Sequence, residues 1–477
     1  VPAFLARLRV PVSAADLFAW HERPGAFERL SPPWQPVSLE RHDGIRSGDR
    51  AVLRLGVGPA SVRWVAEHRA YSDACRRLDA PCEFTDLQVE GPFAAWRHTH
   101  RMLPDGPDAS VLEDDVAYRL PLGRLAEAVG GGRARHETAR LFAYRHRVTR
   151  ADLARHAQSD GPPMTVAVTG SSGLVGRALC AFLTGGGHTV VRLVRSREAA
   201  QARTRGPQER AVYWDVERGE IDHEALAAAA PDAAVHLAGE PVFAPRYPAD
   251  KRRRIWESRT RGTQLLARAL AALDAPPRVL VSASASGYYG SRGDAALTEA
   301  DDPGDGFLAD VCRAWEASTA AAEAAGVRTV HARIGIVVTP AGGALSKLLP
   351  AAHAGLAGWV GDGRAWWPWI ALDDVVYALH ALLRADGLAG PVNLSAPEPA
   401  RARAFAEALG ATLGRPAFLS VPEPLVRAAT GDVLQEVALQ SARMLPARLL
   451  DAGFTFSYPD LSGALGHVLG RAPAPPS

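Results

Sequence analysis

Eight residues near the middle of the chain constrain its folding more than any others: Thr169-Gly170-Ser171-Ser172-Gly173-Leu174-Val175-Gly176. Upstream, Met164–Val168 is a short apolar, β-branched run, the pattern of a strand buried on both faces. Downstream, Leu174–Leu183 carries apolar residues at helical spacing. Gly170 permits a tight turn, Gly173 lets a foreign group approach the backbone, and Gly176 lets helix and strand pack closely. The first N–H groups of such a helix have no partner within it. Together with the positive end of the helix dipole they form a site for an anion such as a pyrophosphate. The context predicts the first βα unit of a dinucleotide-binding parallel sheet.

The rest of the chain after Pro163 agrees. Strand candidates are Thr165–Val168, Thr189–Val194, Ala233–Leu237, Val279–Ser282 and Thr329–Ile334. Helical stretches lie at Leu174–Leu183, Lys251–Leu273 and Leu308–Ala325. Alternation at this spacing implies a doubly wound α/β sheet. The second strand ends in Val194-Arg195-Ser196. An acidic residue there would bind the adenosine ribose 2′-hydroxyl. Arg195 instead suits a 2′-phosphate, with Ser196 adding a hydrogen bond, so NADP is expected over NAD. Asp215 follows the apolar run Ala211–Trp214 and either contacts the adenine amino group or caps a loop. At the end of the fourth strand, Leu237, Ala238 and Gly239 let backbone pass against ribose and diphosphate.

Length and composition bound the remainder. A chain of 477 residues exceeds one ordinary domain. The polar stretch Gln158–Pro163, ending Gly-Pro-Pro, reads as a linker. Before it lie strand-like runs at Ala51–Val57, Ser61–Tyr71 and Val111–Leu120, a helix near Ser13–Trp20 capped by Ser13, and a last helix over Glu137–His146. This is an α+β arrangement in which a curved sheet wraps a helix. The divisions expected are residues 1–157, 164–390 and 391–470. A net charge of +2 gives no field that would recruit nucleic acid. No apolar run reaches the roughly 18 residues of a membrane span. Cys75, Cys82, Cys180 and Cys312 show no metal-like spacing and read as four reduced thiols of a cytoplasmic protein.

Several further motifs carry a resemblance: His236–Pro241 (HLAGEP), Glu257–Thr263 (ESRTRGT), Ser282–Gly290 (SASASGYYG), Trp315-Glu316, Gly361–Asp374 (GDGRAWWPWIALDD), Arg415-Pro416 and Leu445–Phe454 (LPARLLDAGF). With the glycine turn they resemble the extended short-chain dehydrogenase/reductase superfamily, in its atypical epimerase-like branch. The resemblance runs from Met164 to about Leu469. It implies a Rossmann domain with a small C-terminal lobe, an NADP cofactor and a small-molecule substrate. The cofactor contacts it implies are the glycine loop, Val194, Arg195, Leu237, Ala238, Arg259 and Val337. Residues 1–157 resemble the START-like (helix-grip) ligand-binding family, on Leu30–Trp34, Gly91–His98 and Tyr118–Gly123. That resemblance implies a cavity between sheet and long helix but names no ligand; an apolar one is the partner that a sensing role would take.

The superfamily combines a Ser or Thr with Tyr-x-x-x-Lys. Ser284 matches the first position, and it is either a donor to substrate or a backbone cap. Leu308 and Cys312 stand where Tyr and Lys belong: Leu308 cannot transfer a proton, and Cys312 has no charge to donate. Tyr288 and Tyr289 follow the serine motif and either replace the missing phenol or pack as aromatic residues. Asp373 and Asp374 are expected to cap a helix. Lys251–Arg254 reads as a solvated face or a phosphate contact. His21, Asp86, His98 and His100 hint at a metal, with His98 and His100 on one strand face, but no third ligand is evident and no metal is expected. Two functions stay open: an NADP(H)-dependent epimerase-like oxidoreductase, and a non-catalytic NADP(H)-binding regulator with a START-like ligand sensor.

Overall fold

The computed structural model describes residues 3–56, 61–77, 80–121, 123–159, 161–201, 206, 208–242, 249–425 and 440–473. The chain divides into two compact units. One is residues 1–161 with 184–187 and 470–477, and the other is residues 162–183 with 188–469.

The first unit is built on a seven-stranded antiparallel sheet. Its strands are β1 (Ala3–Val10), β2 (Val37–His42), β3 (Arg50–Leu55), β4 (Val62–Ser72), β5 (Cys82–Glu90), β6 (Ala95–Pro104) and β7 (Ser110–Arg119), in the order β1-β7-β6-β5-β4-β3-β2. Between β1 and β2 come α1 (Ala14–Glu22) and α2 (Ala26–Leu30). Ser13 caps α1 by accepting the Asp16 N–H at 3.1 Å. Leu17, Phe18 and Trp20 of α1 pack with Leu8, Phe84, Met102 and Leu112 of the sheet. The last helix, α3, runs Arg124–Ala157, far longer than the expected Glu137–His146. The triplet Gly130–Gly132 costs about 1 kcal/mol per residue relative to Ala. The buried face of Phe142, Ala143, Val148 and Leu153 outweighs that propensity.

The expectation of four reduced thiols does not hold. Cys75 and Cys82 form a disulfide, with Cα atoms 5.1 Å apart, while Cys180 and Cys312 are buried and not disulfide-bonded. A seven-residue separation carries no signature of pairing; the turn into β5 creates the proximity. The cytoplasmic expectation loses that support. Among the described residues no helix is long and apolar enough to cross a membrane.

The second unit is the alternating one. Its elements begin β8 (Thr165–Thr169), α4 (Leu174–Gly185), β9 (Thr189–Val194), α5 (Arg197–Gln201), β10 (Glu209–Asp215), β11 (Glu220–Ile221), α6 (His223–Ala229), β12 (Ala233–His236), α7 (Ala249–Ala271) and β13 (Val279–Ala285). The eight-stranded sheet is ordered β11-β10-β9-β8-β12-β13, then Arg328–Ile334 and Gly390–Leu394. Its pairings are parallel except the β10–β11 hairpin. The order reverses between β8 and β12, so the crevice for a ligand lies beyond their carboxyl ends. Val191, Leu193, Ala234 and Leu280 pack against Leu266 and Leu270 of α7. The helix expected over Leu308–Ala325 is two, α8 (Phe307–Ala317) and α9 (Ala320–Ala324). Ser318 and Thr319 interrupt it by donating their hydroxyls to the carbonyls of Ala314 and Glu316. The C-terminal lobe has its own core, around Trp369, Phe405, Leu409 and Leu465.

Candidate functional site

The glycine turn joins β8 to α4 at the switch point. Gly170 has φ +65°, and a Cβ there would lie 2.7 Å from the Leu237 carbonyl carbon and 2.8 Å from the Ala238 nitrogen. The turn therefore crosses the end of β12 backbone against backbone. At Gly176 a Cβ would lie 2.1 Å from the Gly170 oxygen, so α4 starts directly against the turn. Ser172 and Gly173 are exposed at the rim, while Ser171 is buried and Leu174 and Val175 are half-buried.

Thr169, the turn's first residue, to which the sequence reading assigned no separate task, locks this crossing. Its Oγ1 accepts the N–H groups of Leu237 and Ala238 at 3.1 and 3.2 Å and lies 2.8 Å from His236 Nδ1. With both lone pairs used, the hydroxyl proton points to Nδ1, which places the ring proton on Nε2. Burial, reinforced by the charge of Arg259, pushes the His236 pKa down to about 3.

The residues after β12 are pinned from α7. The Glu240 N–H donates to Ser258 Oγ at 3.0 Å, and Arg259 Nη1 donates to the Glu240 carbonyl at 3.0 Å. The Arg259 guanidinium lies 4.9 Å from the centre of the Trp315 ring, and a Cβ on Gly239 would come within 3.4 Å of it. Arg259 is thus a buried clamp on the strand-end backbone. Lys251 corrects the reading of a solvated basic run: it is buried, with Nζ 2.6 Å from Glu240 Oε1. That hydrogen bond lowers the Glu240 pKa.

At the end of β9 Val194 is half-buried and Arg195 is exposed; among the described residues Arg195 has no ion-pair partner. Ser196 Oγ accepts the Ala199 N–H at 3.0 Å and caps α5. Asp215 Oδ1 accepts the N–H groups of Glu217 and Arg218, the loop-capping arrangement. Val337 is half-buried in a short strand, Ile336–Val338, paired with Trp369–Ala371.

Ser284 lies near the end of β13. Its hydroxyl donates to Glu316 Oε1 at 2.7 Å. Glu316 also grips Arg333 with both oxygens, at 2.9 and 3.0 Å. Arg333 Nη1 donates to the Tyr289 hydroxyl at 2.9 Å, which itself reaches Asn393 Oδ1 at 2.7 Å and the Thr298 carbonyl at 2.9 Å. Tyr289 is fully buried, and burial pushes its pKa up to about 12 despite Arg333. The phenol is enclosed among Arg333, Asn393 and Thr298. Tyr288 differs: it is half-buried, with the Arg333 guanidinium 3.4 Å from its ring centre. Cys312 sits buried beneath Ala285, and burial raises its pKa to about 11. The sequence reading missed Arg333 and Asn393. The signal for Arg333 is a charge set between Ala332 and Ile334 near the end of a strand.

Asp373 and Asp374 do not cap the helix Leu372–Arg384, whose first turn has no side-chain cap. Asp374 instead accepts the N–H groups of Ser457 and Tyr458, and Asp373 Oδ2 lies 2.7 Å from His467 Nε2. They fasten the C-terminal segment. In the first unit, His98 and His100 are buried side by side on β6 with Asp86 facing them from β5, and His21 Nδ1 lies 2.9 Å from the Leu17 carbonyl in α1.

The model of the NAD dependent epimerase/dehydratase family matches residues 166–394, and that of a domain of unknown function, DUF1731, matches residues 421–468. An epimerase family protein of Mycobacterium tuberculosis is 39% identical over 306 residues, 64% of this chain and 98% of the relative. The human epimerase family protein SDR39U1 is 32% identical over 311 residues, again 64% of this chain and 100% of the relative. Its isoform 2, solved with NADPH, superposes with a TM-score of 0.56 at 31% identity, covering 64% of this chain and 99% of that one. The nucleoside-diphosphate sugar epimerase of Corynebacterium glutamicum superposes with a TM-score of 0.77 at 31% identity. That match covers 99% of this chain and 91% of the other, so it includes the N-terminal unit.

Proposed function

We propose, from the premise that this chain belongs to the NAD dependent epimerase/dehydratase family, that it binds NADP(H) and is an epimerase-like oxidoreductase for a small alcohol, carbonyl or sugar-like substrate. The observation that carries the reading is the bare backbone crossing of Gly170 over Leu237 and Ala238 beside the start of α4. It leaves a floor without side chains, on which a diphosphate fits against the free N–H groups of Leu174, Val175 and Gly176. The cofactor, when bound, supplies the hydride donor or acceptor.

The chain's own residues then have distinct tasks. Ser171, Ser172 and Gly173 form the rim around the phosphates. Leu237, Ala238 and Gly239, held by Thr169 and Arg259, form the ribose floor. Arg195, exposed and unpaired among the described residues, takes the 2′-phosphate, with Val194, Ser196 and Asp215 around the adenosine and Val337 towards the other end. Ser284 gives its proton to Glu316, so towards a substrate it offers lone pairs and accepts an O–H. Tyr288, rather than Tyr289, is the phenol left for proton transfer. Residues 1–157 form a START-like cup for an apolar ligand, residues 164–390 the cofactor domain and residues 391–470 the C-terminal lobe. Human SDR39U1 solved with NADPH supports the choice of NADP(H).

A second reading is favoured by one specific observation. With Leu308 and Cys312 in place of Tyr and Lys, and Ser284 committed to Glu316, the domain binds NADP(H) as a regulator without turnover. Cofactor fluorescence during incubation with carbonyl compounds and nucleotide sugars separates the two. Saturable NADPH binding with neither net oxidation nor an epimerised or reduced product across the panel selects the regulator. Arg195→Asp tests the 2′-phosphate contact: NADPH affinity falls about 10- to 100-fold and NADH affinity does not. Equal NADPH affinity in both proteins would refute that assignment.

A further inference from the structure

The N-terminal unit holds a cluster of ionisable side chains that the dinucleotide reading does not use. They form one row across the sheet. In register, His68 on β4 faces Asp86 on β5, Asp86 faces His98 on β6, and His100 on β6 faces Asp114 on β7. Residues two apart on a strand share a face, which is why His98 and His100 meet, their ring centres 3.8 Å apart. That face forms part of the wall of a cavity of about 570 Å³. Elsewhere the wall is largely apolar, with Phe27, Leu30, Trp34, Leu53, Trp64 and Trp96. Such a volume suits a small organic molecule.

Asp114 orients both histidines. Its Oδ1 lies 2.9 Å from His98 Nε2 and 2.9 Å from His100 Nδ1, and its Oδ2 lies 2.7 Å from His146 Nε2. Each ring therefore turns its other nitrogen away from Asp114. His98 Nδ1 and His100 Nε2 converge on one atom, Asp86 Oδ2, at 3.8 and 3.7 Å. Those separations are too long for hydrogen bonds. They are close to the spacing of ligand atoms held about 2.0–2.2 Å from a common ion.

A second observation points the same way. Asp86 Oδ1, His100 Nδ1 and both ring nitrogens of His68 are buried without an aligned hydrogen bond, although His68 Nδ1 and Asp86 Oδ1 are only 2.6 Å apart. Buried polar atoms are nearly always paired. Three of these, Asp86 Oδ1 and the two His68 nitrogens, lie at the carboxylate on whose other oxygen His98 and His100 converge, and they mark a place where a partner completes the arrangement.

We propose that Asp86, His98 and His100 bind a divalent first-row transition-metal ion whose open coordination positions face the cavity. Two imidazoles and one carboxylate suit such an ion and leave room for a further ligand. The cavity admits a small molecule with an apolar body and an oxygen donor. Asp114 is a positioning residue, the carboxylate behind the histidines that fixes their orientation. A proton is the competing occupant: burial opposes it on His100, but Asp114 and Asp86 outweigh burial and hold that pKa near 9. The experiment separates proton from metal.

The full-length protein is stripped with EDTA, returned to chelator-free buffer and titrated with Co²⁺, whose visible absorption reports nitrogen and oxygen coordination. One Co²⁺ per chain is expected, displaced by Zn²⁺. In the His98→Gln, His100→Gln double variant the absorption disappears, and Asp114→Asn weakens binding about 10- to 100-fold. Far-ultraviolet circular dichroism shows whether each variant keeps its fold. A wild-type chain that takes up no cobalt, or a folded double variant that binds it with the wild-type spectrum and affinity, overturns the proposal. The wild-type titration decides the matter even where a variant fails to fold.

Discussion

Gly176→Ala tests the geometry on which the cofactor reading stands. An alanine Cβ at this position would lie 2.1 Å from the Gly170 oxygen, 2.8 Å from its carbonyl carbon and 2.9 Å from Ser171 Cα. Carbon–oxygen contacts of about 3.3 Å are the ordinary lower limit, so turn and helix must separate by roughly 1 Å. All three opposing atoms are backbone, and no rotamer change relieves them. Overpacking costs about 1–3 kcal/mol, and a backbone clash belongs at the upper end. At about 2–4 °C per kcal/mol for a domain of this size, the melting temperature of the cofactor unit falls by several degrees. The same movement takes the N–H groups of α4 away from the diphosphate, so NADPH affinity drops about 10- to 100-fold, or roughly 1.4–3 kcal/mol. Fluorescence titration with NADPH and thermal unfolding with and without it measure both effects. Gly387→Ala is the control, because a Cβ there meets nothing within 4 Å. A Gly176→Ala protein that melts and binds NADPH like wild type would refute the close-packing argument.

Two further outcomes follow from buried charges. Glu316→Gln keeps the shape but sets an amide nitrogen against either Arg333 Nη2 or the Ser284 hydroxyl and Arg333 Nε, donor against donor, with Arg333 only 3% exposed at its side chain. Breaking a buried pair costs about 3–5 kcal/mol; unchanged denaturant unfolding would show that the Ser284–Glu316–Arg333 chain contributes nothing. The second concerns acid. His236 titrates near 3 in the folded protein against 6.5 as a free side chain. The unfolded chain then binds the extra proton below pH 6.5, so stability is full above that pH and falls as pH drops towards 3. Between pH 7 and pH 5 the loss is about 2 kcal/mol. The difference between wild type and His236→Gln in urea unfolding isolates it; a difference independent of pH would rule the mechanism out.

The boundary between what could be read and what could not follows from the range of the interactions. The glycine turn, the strand β9 and the alternation after Pro163 were legible because buried strands and amphipathic helices write local patterns. β10 was seen only as a short apolar run, and the final strand Gly390–Leu394 was missed, because its composition is that of a turn until the sheet covers it. α3 was cut short by Gly130–Gly132, whose local cost the packed face overrides. Asp373 and Asp374 looked like caps because capping is the local use of acids at a helix start; their partners stand more than eighty positions away.

By itself the sequence determined the strand, the glycine turn Thr169–Gly176 and the helix after it, the frame of the proposed cofactor site, because all three signals are local. It determined as well that the usual Tyr and Lys are absent, at Leu308 and Cys312. The tertiary structure decided the rest: that Ser284 gives its proton to Glu316, that the Tyr289 hydroxyl is buried against Arg333 and Asn393, that Cys75 meets Cys82, and that Asp86 faces His98 and His100. Each of these depends on groups brought together by the register of strands or the packing of helices. No local propensity encodes such a meeting, because its free energy comes only once the chain has closed around it.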